Sequence, residues 1–226
     1  MNLIQNFIFI TISQTIFFLF VAAIEKKTPD EISKALLYGV IVGIPFGLTY
    51  DIYVGKTLGI FSYRLGWSLN FLVINAFFSY GIAIATVRLL NLKKQPSVKP
   101  HICYKLLVFI IISSCIVYLI GTSHFSNTFV CGLLIVVMSD YLITSRNISG
   151  IYKSFLASNY SSILKIYFLS VLMGAWYEIS NQFFPVWDWT LSMYMSNLQA
   201  KITIVMLGYF ALVYSITFIL SINKKS

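Results

Sequence analysis

Residues 45–63 read PFGLTYDIYVGKTLGIFSY, which places a carboxylate, Asp51, near the end of an apolar segment, with an aromatic pair shortly after it. Residues 176–189 read WYEISNQFFPVWDW and repeat that order around Glu178. The recurrence at nearly the same offset predicts an internal duplication. Because a carboxylate in or near hydrocarbon is costly unless it is paired or used, we expect the two acids to mark the functional site.

The composition indicates an integral membrane protein. Of 226 residues, 58 % are hydrophobic and only 10 % are charged, which is too little polar surface to cover a soluble globule. A helix needs about 20 apolar residues to cross a hydrocarbon core roughly 30 Å thick. The sequence therefore predicts an all-α polytopic membrane helical bundle with about seven transmembrane helices, at about 3–24, 35–55, 67–90, 105–121, 128–145, 163–183 and 200–222.

The basic residues predict the orientation, because Lys and Arg concentrate on the cytoplasmic side of a membrane. Of the 16 basic residues, only Lys56, Arg64 and Lys201 fall on one side of the alternating loops. We therefore expect an outside N-terminus and a cytoplasmic C-terminus, in the cell membrane if the source is bacterial. The net charge of +9 then faces anionic membrane lipid, so lipid is an expected partner and nucleic acid is not. The oligomeric state is not indicated.

A polar, lysine-rich break after residue 90 divides the chain. We expect a first three-helix repeat at 1–90, a basic cytoplasmic linker with a connecting helix at 91–127, and a second three-helix repeat at 128–226. Two three-span units separated by one span share the same orientation, which predicts parallel repeats related by an axis along the membrane normal. Both acids then lie at similar depth, near the outer interface.

Asp51 and Glu178 are the candidate catalytic residues. A carboxyl group that is removed from water is harder to ionise, so either acid could serve as a proton donor. The alternative is a packing role in which each acid pairs with an outer basic residue, Asp51 with Lys56 or Arg64 and Glu178 with Lys201.

The candidate substrate-binding residues are mostly aromatic. Aromatic rings near the acids are explained either as interfacial anchors or as a cage that stabilises a cation by cation–π attraction. Asn70 and Asn197 are added because they hold matched positions in the two halves, and Asn181 because its position three residues after Glu178 would let it orient that acid. The aromatic candidates are Tyr50, Tyr53, Phe61, Tyr63, Trp67, Trp176, Tyr177, Trp187 and Trp189.

Other polar residues of the apolar segments are interpreted as packing residues. Gln14 and Asn75 lie inside predicted spans, where interhelical hydrogen bonds are the usual reason for an amide. The cysteines and histidines have no metal-ligand spacing, so we expect neither a metal nor a cofactor.

Residues 45–51 together with 59–63 resemble the repeat unit of the small integral-membrane lycopene cyclases. In that family a three-helix unit carries an acid late in its second helix, followed by a Gly-x-Trp-x-Tyr-like turn, and two units are often fused. The family also has a Pro-x-Glu-Glu motif at the start of the third helix, whereas residues 69–72 here contain no carboxylate. The positions of the two acids are also similar to those of the membrane-bound terpenoid cyclases of meroterpenoid pathways.

Both resemblances imply an isomerase-type carotenoid or terpenoid cyclase that needs no redox cofactor. A carboxylic acid would protonate an alkene or epoxide of a lipid-soluble isoprenoid, and the carbocation would cyclise in a dry aromatic pocket. Two other functions remain open from the sequence. One is a small-solute carrier, in which paired intramembrane acids are also expected, and the other is a non-enzymatic membrane scaffold or assembly protein.

Overall fold

The computed structural model describes residues 2–92, 98–121, 124–144, 150–189 and 196–222. The chain is mostly helical. Within these ranges the helices are α1 Leu3–Ile24, α2 Pro29–Tyr50, α3 Leu69–Asn75, α4 Gly81–Arg88, α5 Ile102–Gly121, α6 His124–Thr144, α7 Ile151–Leu156, α8 Ser161–Phe183, α9 Asn197–Thr203 and α10 Tyr209–Ile222. The described residues also include three π-helical segments: Asp51–Thr57 extends α2, Ala76–Tyr80 joins α3 to α4, and Ile204–Gly208 joins α9 to α10. The strands are β1 Phe61–Tyr63 and β2 Trp187–Trp189.

Among the residues that the structure describes, five helical stretches are long and apolar enough, by length and composition, to span a membrane. They are Leu3–Ile24, Pro29–Thr57, Leu69–Arg88, Ser161–Phe183 and Lys201–Leu220. Two further stretches are apolar but shorter, Ile102–Tyr118 and Val130–Thr144. Large apolar side chains stay exposed along α1, as expected of a lipid-facing surface: Ile4, Ile8, Ile12, Ile16, Leu19, Phe20 and Ile24.

The first two helices begin at sequence-encoded caps. Asn2 and Gln5 form a capping box at the start of α1, and Thr28 and Glu31 form one at the start of α2. Each box satisfies backbone N–H groups that the first helical turn leaves without partners. Helix α2 then continues through Pro45 without a break and passes directly into its π-helical extension.

The chain divides into two compact units. The first unit comprises Met1–Leu90 and Leu172–Val205, and the second comprises Asn91–Val171 and Met206–Ser226. These units reflect packing in space, whereas the predicted segments 1–90, 91–127 and 128–226 describe internal repetition. The predicted segments therefore stay a prediction.

In the first unit, glycines let α2 approach α4 at backbone contact distance. A Cβ atom at Gly39 would lie 2.2 Å from the Gly81 carbonyl oxygen, and one at Gly43 would lie 2.7 Å from the Gly81 nitrogen. At Gly47 the added atom would lie 2.6 Å from the Tyr80 ring. Small residues at every fourth position are a common way for membrane helices to pack closely. This face of α2 therefore accepts no side chain.

A small antiparallel sheet accompanies the helices of this mostly helical chain. Phe61 of β1 lies opposite Trp189 of β2, and Tyr63 lies opposite Trp187. The sequence predicted outer loops at both aromatic pairs. The pairs instead form two short strands that hydrogen-bond to each other, a long-range pairing that local sequence patterns do not encode.

In the second unit, Asp140 of α6 forms hydrogen bonds to several segments. Its carboxyl oxygens accept hydrogen bonds from the Tyr104 hydroxyl of α5 at 2.7 Å and from the Tyr214 hydroxyl of α10. They also accept the backbone N–H groups of Ile151 at 2.6 Å and Tyr152 at 3.1 Å, at the start of α7. This buried acid therefore satisfies the first turn of α7 and ties it to α5, α6 and α10.

The glycine contacts generate a stability prediction. Gly43→Ala forces a methyl group against the Gly81 backbone, so we expect the free energy of unfolding to fall by about 1–3 kcal/mol. Thermal unfolding of the purified protein in detergent or nanodiscs measures the change. Gly132→Ala is the matched control, because a Cβ atom there lies 4.0 Å from its nearest neighbour, Ala211. Equal unfolding temperatures for the two variants would contradict the packing described here.

Candidate functional site

The Asp51 carboxyl group is fully buried where α2 changes into its π-helical extension. The Tyr63 hydroxyl donates to Oδ1 at 2.9 Å, and the Tyr80 hydroxyl donates to the same oxygen at 2.6 Å. The Asn75 side-chain amide donates to Oδ2 at 3.2 Å. All three donors are neutral, and π-helical turns of this kind frequently occur at functional sites.

Asn75 links Asp51 to Tyr63 and Ser79. Its side-chain nitrogen also donates to the Tyr63 hydroxyl oxygen at 2.8 Å, and its Oδ1 accepts the Ser79 hydroxyl at 2.9 Å. Burial and the adjacent Asp51 carboxyl group raise the pKa of the Tyr63 phenol well above its ordinary value, which keeps Tyr63 a neutral donor. The four side chains around Asp51 therefore form one continuous hydrogen-bonded network.

The alternative pairing of Asp51 with Lys56 or Arg64 is wrong. Among the residues that the structure describes, no Lys or Arg lies within ion-pair distance of Asp51. Arg64 instead forms a two-point ion pair with Asp188, at 2.8 Å for both contacts. That pair lies on the exposed face of the sheet, and the hydrogen bond to Asp188 raises the pKa of Arg64. An exposed pair of this kind contributes about 0–1 kcal/mol, so it stabilises the strand pairing only slightly.

Glu178 of α8 is also buried and receives indole donors. Trp187 Nε1 donates to Glu178 Oε1 at 3.2 Å, and Trp189 Nε1 donates to the same oxygen at 3.0 Å. Asn181 was expected to orient Glu178, but its described hydrogen bonds go to the following turn. Its Nδ2 donates to the Trp187 carbonyl at 2.8 Å, and its Oδ1 accepts the Val186 N–H at 2.8 Å. Asn181 therefore shapes the turn that delivers both tryptophans to Glu178.

The sheet pairs the strands whose side chains bind the two acids. Tyr63, which binds Asp51, lies opposite Trp187, which binds Glu178. Residues directly opposite in an antiparallel pair lie on the same face, with neighbouring side chains. The two carboxyl groups are therefore held through adjacent positions of one strand pair, although they lie far apart in the sequence.

Several predicted substrate-binding aromatics form one cluster around Phe61. Its ring centroid lies 5.4 Å from that of Trp189, 6.0 Å from that of Trp67 and 6.4 Å from that of Tyr50. Gly55 makes room for the cluster, since a Cβ atom there would lie 2.5 Å from the Trp67 ring. The cluster thus contains aromatics from both predicted halves.

Other predicted site residues lie elsewhere. Tyr53 is 64 % exposed, and Asn70 is exposed at the start of α3. Trp176 and Tyr177 pack against Phe17 of α1 rather than joining the Phe61 cluster. The backbone of Asn197 begins α9, but its side chain lies outside the described part of the chain.

Two of the three side chains that donate to Asp51 were not predicted as site residues. Asn75 was interpreted as a packing residue, and Tyr80 was not singled out. The sequence did contain a signal for these two donors. A carboxylate buried among apolar helices needs several hydrogen-bond donors. Asn75 and Tyr80 are polar residues of the next apolar segment and could supply them.

Tyr80 provides a test of the network. Tyr80→Phe removes one donor from the buried Asp51 carboxyl group, so we expect it to lower the free energy of unfolding by about 1–3 kcal/mol. The matched control is Tyr53→Phe, which removes a hydroxyl from an exposed ring two residues after Asp51. Thermal unfolding of both variants checks the prediction, and an equal effect at the two positions would contradict it.

No family model matches this sequence, and no curated protein or solved structure is similar to it by the comparisons made. The functional assignment therefore depends on the chemistry of the Asp51 and Glu178 sites. The resemblance to the lycopene cyclases rests on the short sequence stretches quoted above.

Proposed function

We propose that this protein is an integral-membrane isoprenoid cyclase that protonates a lipid-soluble polyene or epoxide and cyclises the resulting carbocation. The observation that carries the proposal is the sheet that holds two buried carboxyl groups, Asp51 and Glu178, through adjacent aromatic residues. Proton-initiated cyclisation needs an acid, a group that stabilises positive charge and a base for the final proton. The site supplies candidates for each.

The hydrogen-bond partners support different roles for the two acids. Asp51 is bound by phenol hydroxyls, which both donate and accept, so Tyr63 and Tyr80 can remain bonded whether or not Asp51 carries a proton. Glu178 is bound by indole N–H groups, which only donate, and this favours its ionised form. We therefore assign proton donation to Asp51 and stabilisation of the cation, with removal of the final proton, to Glu178.

The atoms balance without a further reactant. The proton of Asp51 adds to the alkene or the epoxide oxygen, a carbon–carbon π bond then forms the ring bond, and the final cation loses a proton to Glu178. The product has the mass of the substrate, and proton transfer restores the resting state. The rings of the Phe61 cluster are suited to stabilising the cation by cation–π attraction.

We infer seven membrane spans in two parallel three-helix repeats. Supporting the repeats, α3 and α9 are each seven residues long, and each is followed by a five-residue π-helical segment and a further α-helix. A strand precedes each of these series, and an acid in a helix precedes each strand. The five long apolar stretches and the helices α5 and α6 make up the seven spans. The distribution of basic residues favours an outside N-terminus.

A scaffold function is the second candidate, and one observation favours it. The described donors satisfy both oxygens of Asp51, as in an acid whose role is to hold helices together. If the protein is a scaffold, replacing Asp51 lowers its stability, and the wild type itself forms no cyclic product. The two functions therefore differ in what the wild-type protein produces.

The deciding experiment expresses wild type, Asp51→Asn and Glu178→Gln in hosts that accumulate linear isoprenoids. We expect the wild type to form a product of unchanged mass and altered retention, measured by chromatography and mass spectrometry of the lipid extract. Each replacement should lower its yield at least about 100-fold, the usual contribution of an acid or base group. Asp188→Asn is the control, because Asp188 lies between the two tryptophans but on the exposed face of β2.

Folding of every variant is verified by its elution and thermal unfolding in detergent. If the folded wild type forms no cyclic product from any supplied isoprenoid or epoxide, the scaffold becomes the better account. If Asp188→Asn abolishes the product as strongly as Asp51→Asn, the assignment of the acid is wrong.

A further inference from the structure

The side-chain oxygen of Gln14, within α1, is buried and has no hydrogen-bond partner among the described residues. The residue is 1 % exposed, and its Oε1 atom is enclosed without a donor. An unsatisfied buried polar group is expensive, and most such groups in folded proteins have a partner. Replacement by an apolar residue would remove this cost, so the amide indicates a partner that binds from outside the chain.

Contacts made by the residues next to Gln14 show which part of α8 packs against this part of α1. The Ser13 and Ser180 hydroxyls lie 2.6 Å apart, and Trp176 Nε1 donates to the Ser13 carbonyl at 2.9 Å. One turn further along α1, Phe17 packs edge-on against Tyr177 with ring centroids 6.2 Å apart. The segment of α1 from Ser13 to Phe17 therefore lies beside the segment of α8 from Trp176 to Ser180.

Gln14 and Glu178 belong to these two facing segments, so they lie at the same level of the helix pair. Along α1, the residues one turn before and after Gln14 are Ile10 and Phe18, and both are buried. Gln14 thus lies between two apolar positions of the buried face of α1. The neighbouring Ser13 already makes hydrogen bonds to α8 through both its hydroxyl and its carbonyl group.

We propose that Gln14 binds a hydroxyl group of the substrate, so that the ligand is an isoprenoid alcohol rather than a pure hydrocarbon. A hydroxyl can donate to Oε1 and accept from the amide nitrogen of the same side chain, which satisfies both polar ends at once. The choice of an isoprenoid rests on the proposed function. The amide then holds the polar end of the molecule at the level of Glu178 and leaves its apolar chain for the aromatic residues.

The test measures binding without turnover, using the full chain in nanodiscs. Geranylgeraniol and the hydrocarbon of the same skeleton without its hydroxyl are titrated, and the ligand-dependent rise in unfolding temperature gives each affinity. We expect the wild type to bind the alcohol about tenfold more tightly than the hydrocarbon, the effect of one or two neutral hydrogen bonds. Gln14→Leu should lose this preference and retain its affinity for the hydrocarbon.

Thr15→Val is the matched control on the same helix. It also removes a polar group, but the Thr15 hydroxyl donates to the Thr11 carbonyl at 2.9 Å, so it is already satisfied. The alcohol preference should survive in this variant. Without ligand, Gln14→Leu should be at least as stable as the wild type, because it deletes an unpaired buried amide.

Two results would overturn the proposal: an equal preference for the alcohol in wild type and Gln14→Leu, or no preference in the wild type. A marked loss of stability in ligand-free Gln14→Leu would do the same, because it would assign the amide to packing. Asp51→Asn separates this site from the cyclase proposal. If Asp51→Asn and the wild type share the alcohol preference but the wild type forms no product, the hydroxyl site stands and the cyclase proposal fails.

Discussion

The first unit depends on the burial of the Asp51 carboxyl group, which has no basic partner in the part of the chain that the structure describes. A carboxyl group removed from water has to recover several hydrogen bonds from the protein. Here the donors come from β1, α3 and the π-helical segment before α4, through Tyr63, Asn75 and Tyr80. Three separate segments must therefore meet at one point, and their positions relative to α2 follow from this requirement.

Close packing makes that meeting possible. The Tyr80 ring lies against Gly47, one turn before Asp51, at a distance that leaves no room for a Cβ atom. On the other side of Asp51, Gly55 accepts the Phe61 and Trp67 rings in the same way. The glycines of α2 and its extension are therefore as necessary to the site as its polar groups, because they allow neighbouring side chains to reach the carboxyl group.

The two acids have chemically different surroundings. Phenol hydroxyls and an amide surround Asp51, whereas two indole N–H groups meet at one oxygen of Glu178. A network of hydroxyls can reverse its direction when a proton moves, and indole donors cannot. The two acids therefore differ in the donors that bind them, and this difference is the basis of the roles proposed for them.

The sequence by itself determined the apolar segments that are long enough to span a membrane, the two acids and the aromatic pairs that follow them, because composition and regular spacing are properties of the chain alone. It also indicated that Tyr63 belongs near Asp51, since both lie within one short stretch. Only the tertiary structure decided that the aromatic pairs form a sheet, that Tyr80 and Asn75 bind Asp51, and that Asn181 shapes a turn. Strand pairing and hydrogen bonding between segments depend on which faces meet in three dimensions, and no local pattern of residues specifies that.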